Sequence, residues 1–402
     1  MPIFRLAASV AAVFILIARA GAQGPPPALR SPDVHGDRRV TFRLRAPEAA
    51  RVELVGEVLQ GKGPQVMTKD ADGVWSITIG PLPPEIWIYN FRIEGVDLPD
   101  PANISQMPRA AGTAISSFVE VPGDDAAFYD ARPVPHGDVR MVLYESKAMS
   151  VSRYLWVYTP PNYDTSRDRY PVYYLLHGNG ETQSGWVANG RANLILDNLI
   201  AAGEAAPMIV VMPHGHPLQS ASVGPAVVVP PDGGDPGMLN FTLFTRDLLN
   251  QIIPLVDRRY RVYTDPAHRA IGGLSMGGFQ SLEIGLAHPE LFGYVLAYSG
   301  GFGSLGSQPP AAPIETQAPW AQLLANPSGT TRRLQMLFLG CGQQETGMLA
   351  PGQRIVRLLR ERGINARWSD YPGRHVFSVW RHLLRESTTM LFRPVRGGGE
   401  SR

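Results

Sequence analysis

The pentapeptide Gly273-Leu274-Ser275-Met276-Gly277 constrains this chain more than any other stretch. An apolar segment leads into it from Arg269, and a helix-like run, Phe279 to Ala287, follows. A serine between strand and helix sits on a sharp, strained turn. Strand and helix approach so closely there that only small residues fit two before and two after the serine. Gly273 and Gly277 meet that demand. The turn predicts Ser275 Oγ exposed above a sheet, with the Met276 N–H at the helix start aimed at a developing oxyanion. An incidental serine in a Gly-rich turn is the plain alternative, and it gives no reason for the flanking strand and helix.

The 402 residues suit two domains, or one large domain with additions. Apolar content of 44% and charged content of 18% allow a full core. A net charge of +2 offers no electrostatic case for nucleic acid or an anionic surface. The single cysteine, Cys341, excludes an internal disulfide and reads as a small buried hydrophobe.

Residues 1–22 read as a secretory signal. Arg5 supplies positive charge, Leu6 to Ile17 is apolar but too short to span a bilayer, and Ala20-Gly21-Ala22 offers a cleavage site. The mature protein is then expected to be secreted or periplasmic, free of the membrane after cleavage. Residues 23–30 form a Pro-rich spacer. From 31 to 122 short alternating runs separated by Gly and Pro predict a small all-β sandwich. Its clearest strand, Trp87-Ile88-Tyr89-Asn90-Phe91-Arg92-Ile93, carries an aromatic at every second residue. That is first a core face, and second a platform for stacking carbohydrate. Residues 123–138 read as a linker and 396–402 as a disordered tail.

From 139 to 395 continuous apolar runs alternate with amphipathic ones. That texture predicts an α/β domain with a mostly parallel sheet covered by helices on both faces. Such sheets place their sites at the carboxyl ends of the strands. Two long loops, His214 to Asn240 and Gly300 to Gln317, read as lids or substrate walls. The second contains a formal G-x-G-x-x-G, but Pro309 and Pro310 follow where a helix should start, so no dinucleotide site is expected.

A serine nucleophile needs a base and an acid to orient that base. In the chain order serine, acid, histidine, three histidines lie downstream of Ser275: His288, His375 and His382. His375 sits in a loop after the last strand and before the C-terminal helix, where the base belongs. The acid should follow the apolar run Leu334 to Leu339. Glu345 is the choice there, and Asp370, five residues before His375, is the rival. His177-Gly178-Asn179 follows the Val172–Leu176 run, which makes the Asn179 N–H the second oxyanion donor and His177 structural. His214 and His216 lack a third ligand, so no metal is expected, and no cofactor. Trp186, His216, Phe302 and Trp380 are the aromatic residues expected to wall the substrate.

These residues resemble the esterase D-like branch of α/β-hydrolases, in particular the family-1 carbohydrate esterases that remove feruloyl and acetyl groups. The matching pieces are Tyr174-Leu175-Leu176-His177-Gly178, Gly190-Arg191-Ala192-Asn193, Arg269 to Gly278, and Pro372-Gly373-Arg374-His375 with Trp380-Arg381 behind it. The N-terminal strands, with Asp97 to Asn103, look like the family-48, early-set immunoglobulin-like sandwich. The resemblance implies an α/β-hydrolase fold and an acyl-enzyme on Ser275. It also implies feruloylated or acetylated plant polysaccharide as the partner, feruloyl ahead of acetyl. The family usually has aspartate where this chain has Glu345. A siderophore esterase, which shares such a sandwich, is the second reading. A non-catalytic carbohydrate-binding protein on a decayed hydrolase fold is the third. Because no triad residue lies upstream, a chain starting near Ala131 is expected to keep its activity on small esters.

Overall fold

The computed structural model describes residues 28–107, 115–218, 236–303, 312–316, 319–331 and 333–393. The expected signal, most of the spacer, residues 219–235 of the first long loop, residues 304–311 and 317 of the second, and the tail lie outside the described residues.

The N-terminal part is two antiparallel sheets. One orders Asp33–Val34, Val40–Arg45, Val74–Ile79 and Thr68–Lys69. The other orders Gln65–Val66, Val52–Val55, Glu85–Ile93, Ser116–Val121 and Gln106–Met107, with Val96–Leu98 paired beside Glu85–Ile93. Phe42, Leu54, Tyr89, Phe91 and Val119 fill the space between them. Trp75 is buried there too, its indole N–H donating to the Ala46 carbonyl, so its ring is core.

The α/β domain holds an eight-stranded sheet. Its strands are β1 (Asp138–Ser146), β2 (Val151–Thr159), β3 (Val172–Leu176), β4 (Ile209–Pro213), β5 (Arg269–Leu274), β6 (Tyr294–Tyr298), β7 (Met336–Gly342) and β8 (Ala366–Tyr371). The order is β1-β2-β4-β3-β5-β6-β7-β8. The first two pairings, β1–β2 and β2–β4, are antiparallel, and every later pairing is parallel. β3, β4, β5 and β6 are buried at every residue, as strands covered on both faces must be. Four helices bear on the site: α1 (Ala192–Ala201), α2 (Met276–Ala287), α3 (Thr346–Glu361) and α4 (Phe377–Thr388).

The two parts share one core. In the strand Glu85–Ile93 side chains alternate between faces. Tyr89 and Phe91 point into the sandwich, whereas Ile86 and Ile88 join the cluster of Leu175, Trp186, Phe377 and Leu383 in the α/β domain. Phe118 and Val119 divide in the same way. Each such side chain contributes roughly 1.5–3 kcal/mol by leaving water. The segment expected to be a linker is packed: its 3₁₀ turn Asp124–Tyr129 buries Ala126, Phe128 and Tyr129 in that same cluster. A buried polar knot crosses the junction. Arg381, 0% exposed, donates to Glu85 Oε1 and, at 2.5 Å, to the Asn189 carbonyl, while Tyr129 Oη donates to Glu85 Oε1 at 2.8 Å.

Candidate active site

β5 ends at Leu274, and Ser275 then takes φ 52° and ψ −115° before α2 starts at Met276. That is the left-handed region, which a serine adopts only when its surroundings impose it. The Ser275 N–H donates to the Tyr298 carbonyl at 2.8 Å, tying the turn to the end of β6. A Cβ added to Gly273 would lie 2.4 Å from the Leu176 carbonyl oxygen, and one on Gly277 would lie 2.6 Å from the same atom. Real side chains do not approach that closely, so both glycines are required by the end of β3.

His375 lies between β8 and α4, and Glu345 caps the start of α3 just beyond β7. The His375 Nδ1–H donates to Glu345 Oε2 at 2.6 Å. A carboxylate only accepts, so the proton sits on Nδ1 and leaves Nε2 to act as an acceptor. Glu345 is held on its other oxygen: Oε1 accepts from the Gly342 N–H and from Ser299 Oγ, both at 2.7 Å. Ser299 in turn accepts from the Trp380 indole N–H at 2.9 Å, and the Trp380 ring meets the His375 ring edge-on with centroids 4.9 Å apart. Glu345, Ser299 and Trp380 thus close a ring of contacts with the imidazole. Asp370 stands elsewhere. On β8 it accepts from Gln343 Nε2 and from the Trp368 indole N–H. His382 stacks on Tyr371, and His288 faces Glu290.

His177 is buried, and burial lowers its pKa to about 3, so it stays neutral. Its Nδ1–H donates to the Gly178 carbonyl at 2.8 Å, and its Nε2 accepts the Gly215 N–H at 2.9 Å. The Gly178 carbonyl belongs to the peptide whose N–H is that of Asn179. A trans peptide is planar with C=O and N–H opposed, so fixing the one aims the other.

Two cavities meet at Ser275, and Asn179 borders both. The larger, about 650 Å³, is bounded by Met276, Leu218, Phe241, Phe279 and Met348, with His216 on its wall. The smaller, about 140 Å³, holds His375 and Trp380 and is closed by residues of the N-terminal sheets.

Two expected wall residues are elsewhere. Trp186 is fully buried, its indole N–H donating to the Leu176 carbonyl, and it packs against Phe377 and Tyr298. Phe302 is also fully buried, edge-on to Trp368 in the main core. Trp186 stands on the short helix Gly185–Ala188, which lays its ring over the sheet, and Phe302 turns into the core four residues past the end of β6. Trp380 borders the small cavity rather than the large one, and Cys341 is buried. The large cavity has an aromatic wall built from other residues: Phe241 and Phe279, with ring centroids 5.6 Å apart. Phe279 was legible, since it stands four residues after Ser275 and so on the same helix face. Ser299 carried no signal in the sequence.

Residues 146–391, well over half of the chain, match the Esterase family. The chain belongs to this family. A relative in Xylanibacter ruminicola, "Endo-1,4-beta-xylanase/feruloyl esterase", is 32% identical over 91% of this chain, and the chain spans about half of that relative, 46% of it. Among solved structures, enterochelin esterase from Shigella flexneri has a TM-score of 0.64 at 19% identity, covering 89% of this chain and 93% of that one. The feruloyl esterase module of Clostridium thermocellum has a TM-score of 0.53 at 20% identity, covering 70% of this chain and 96% of that one. These neighbours share the α/β esterase fold with the present Esterase-family chain.

Proposed function

We propose that this member of the Esterase family is an exported serine ester hydrolase that removes feruloyl or related hydroxycinnamoyl groups from plant cell-wall polysaccharide. The observation that carries the chemistry is the Glu345–His375 pair, at 2.6 Å, beside a strained Ser275. Ser275 Oγ attacks the ester carbonyl while His375 Nε2 takes its proton. The N–H groups of Asn179 and Met276 receive the oxyanion. His375 then gives the proton to the leaving alcohol, and water cleaves the acyl-enzyme by the same route in reverse. Glu345 holds the imidazole and offsets its charge.

Two observations support the acyl group. The relative that matches 91% of the chain carries feruloyl esterase in its name. The large cavity presents Phe241, Phe279, Met276 and Met348, an apolar wall suited to a flat aromatic ring, whereas an acetyl group needs little of it. A catecholate siderophore ester is the second reading, favoured by the 89% coverage against enterochelin esterase. The test compares turnover of methyl ferulate, an acetylated xylo-oligosaccharide and a catecholate siderophore triester by one preparation. Ferulate release ahead of the others is expected. Acetate release alone, or siderophore cleavage alone, overturns the acyl assignment.

A further inference from the structure

We infer that the N-terminal sandwich builds the subsite for the leaving alcohol, and so selects which alcohol the ester carries. The inference rests on the serine-hydrolase reading above and adds to it the identity of the group that chooses the alcohol.

Acyl transfer assigns the two cavities. The leaving oxygen must take its proton from His375 Nε2, so the alcohol lies on the imidazole side of Ser275. The remaining acyl group lies on the other side, past the oxyanion donors. His375 borders the small cavity, while the large one has Met276 and not His375. The small cavity is therefore the alcohol side and the large one the acyl side.

The far wall of the small cavity comes from the sandwich: Glu57 on the 3₁₀ turn Glu57–Leu59, Ile88 on Glu85–Ile93, and Met107 on Gln106–Met107. Those residues are set in place. Gly56, at φ 121°, lets the turn lie against the next strand, because a Cβ there would be 2.6 Å from the Ile88 carbonyl oxygen. Ile88 and Met107 belong to the core shared with the α/β domain, and the Arg381–Glu85–Tyr129 knot anchors the junction. A module hung on a flexible tether has none of these contacts.

The wall also indicates the kind of alcohol. Glu57 on the sandwich and Glu181 on the α/β domain stand in the lining of a cavity whose apolar residues are Ile88, Met107, Leu274, Phe377 and Trp380, and Glu181 Oε2 also accepts the Gly178 N–H at 3.3 Å. Carboxylates accept hydrogen bonds from hydroxyl groups, and apolar side chains suit the C–H faces of a ring. The cavity's 140 Å³, close to the volume of five waters at about 30 Å³ each, has room for one small ring. That combination fits a monosaccharide unit bearing the ester.

The experiment holds the acid constant and varies the alcohol. Glu57→Gln and Met107→Ala are assayed on feruloyl esters of methanol and of arabinose, and on acetyl esters of methanol and of xylose. Each variant is expected to lower the sugar-to-methyl ratio of kcat/KM by on the order of tenfold for either acid, about 1.4 kcal/mol of transition-state binding. The ferulate-to-acetate ratio at constant alcohol should stay within about twofold of wild type. Met107 is buried and its truncation can unfold the chain. Glu57 is only half-buried, so Glu57→Gln, checked by circular dichroism and melting, keeps the test decisive. An unchanged sugar-to-methyl ratio in folded Glu57→Gln, or a change that follows the acid, overturns the inference. No ester hydrolysis by the wild-type protein strikes instead at the serine-hydrolase reading beneath it.

Discussion

Ser299 Oγ stands 2.7 Å from Glu345 Oε1 and 2.9 Å from the Trp380 indole nitrogen, while His375 takes the other carboxylate oxygen, Oε2. Ser299 itself sits at φ 53°, its N–H bonded to the Gly340 carbonyl at 2.7 Å. This serine gives the carboxylate of a glutamate, one methylene longer than aspartate, a fixed seat. Ser299→Ala removes one charge-assisted hydrogen bond and leaves the indole N–H without its acceptor. Such bonds contribute about 1.5–3 kcal/mol. The expected result is a fall in kcat of roughly tenfold with KM within about twofold. A proportionate rise in KM with unchanged kcat would show that Ser299 acts on binding instead.

Ser275→Ala should fold normally and lose ester hydrolysis by on the order of 10³-fold or more. A serine-reactive phosphonate should label Ser275 in the wild-type protein and leave the variant unmodified. Wild-type turnover in a clean preparation of the variant removes Ser275 from the mechanism.

Glu345→Gln and Asp370→Asn separate the two carboxylates. The first leaves the His375 imidazolium without its carboxylate, and a loss approaching 10⁴-fold in kcat is expected. The second touches a group bonded to Gln343 and Trp368, away from the imidazole, so kcat should stay within about threefold. Steady-state kinetics on one soluble ester decides it, and the reverse order sinks the assignment.

His177 links stability to pH. Its folded pKa of about 3 lies below the ordinary value near 6.5, because burial disfavours the imidazolium. Below pH 6.5 the unfolded chain takes up a proton that the folded chain refuses. The stabilisation is therefore full above about pH 6.5 and declines toward pH 3, by up to roughly 1.4 kcal/mol per pH unit per proton. Burial lowers His216 in the same direction. Urea melts at several pH values between 4 and 8 should show this slope, and His177→Asn should flatten it by close to one proton. An unchanged slope means that other groups account for the acid sensitivity.

Glu85→Ala tests the junction. It strands the fully buried Arg381 guanidinium and the Tyr129 hydroxyl, and losing one partner of a buried pair costs about 3–5 kcal/mol. A thermal melt should fall accordingly. For the same reason a chain starting near Ala131 is expected to fold poorly and lose activity on small esters too, contrary to the expectation from triad positions alone. A truncated chain with a wild-type melt and full activity on methyl esters would restore the view of the sandwich as an accessory.

What depends on short range and on period was legible in the order of the residues. Glycines on both sides of Ser275 announce a turn too tight for side chains, and continuous apolar runs such as Val172–Leu176 announce strands covered on both faces. Val172–Leu176 has the limits its apolar run predicts. The position of His375 between the last strand and last helix followed from element order. Tertiary structure alone decided which way side chains face once the chain leaves an element. Glu345 reaches His375 and Asp370 does not, because β7 runs on to Gly342 and the turn after it points its carboxylate inward. Trp186 and Phe302 are core rings and Phe241 and Phe279 are wall rings, a distinction composition cannot make. Ile88 and Met107 border the same cavity as His375 although they stand hundreds of residues earlier, because alternate side chains of a sandwich strand face the α/β domain. Local pattern reports what a segment becomes, and only packing between segments decides which of its faces meets the chemistry.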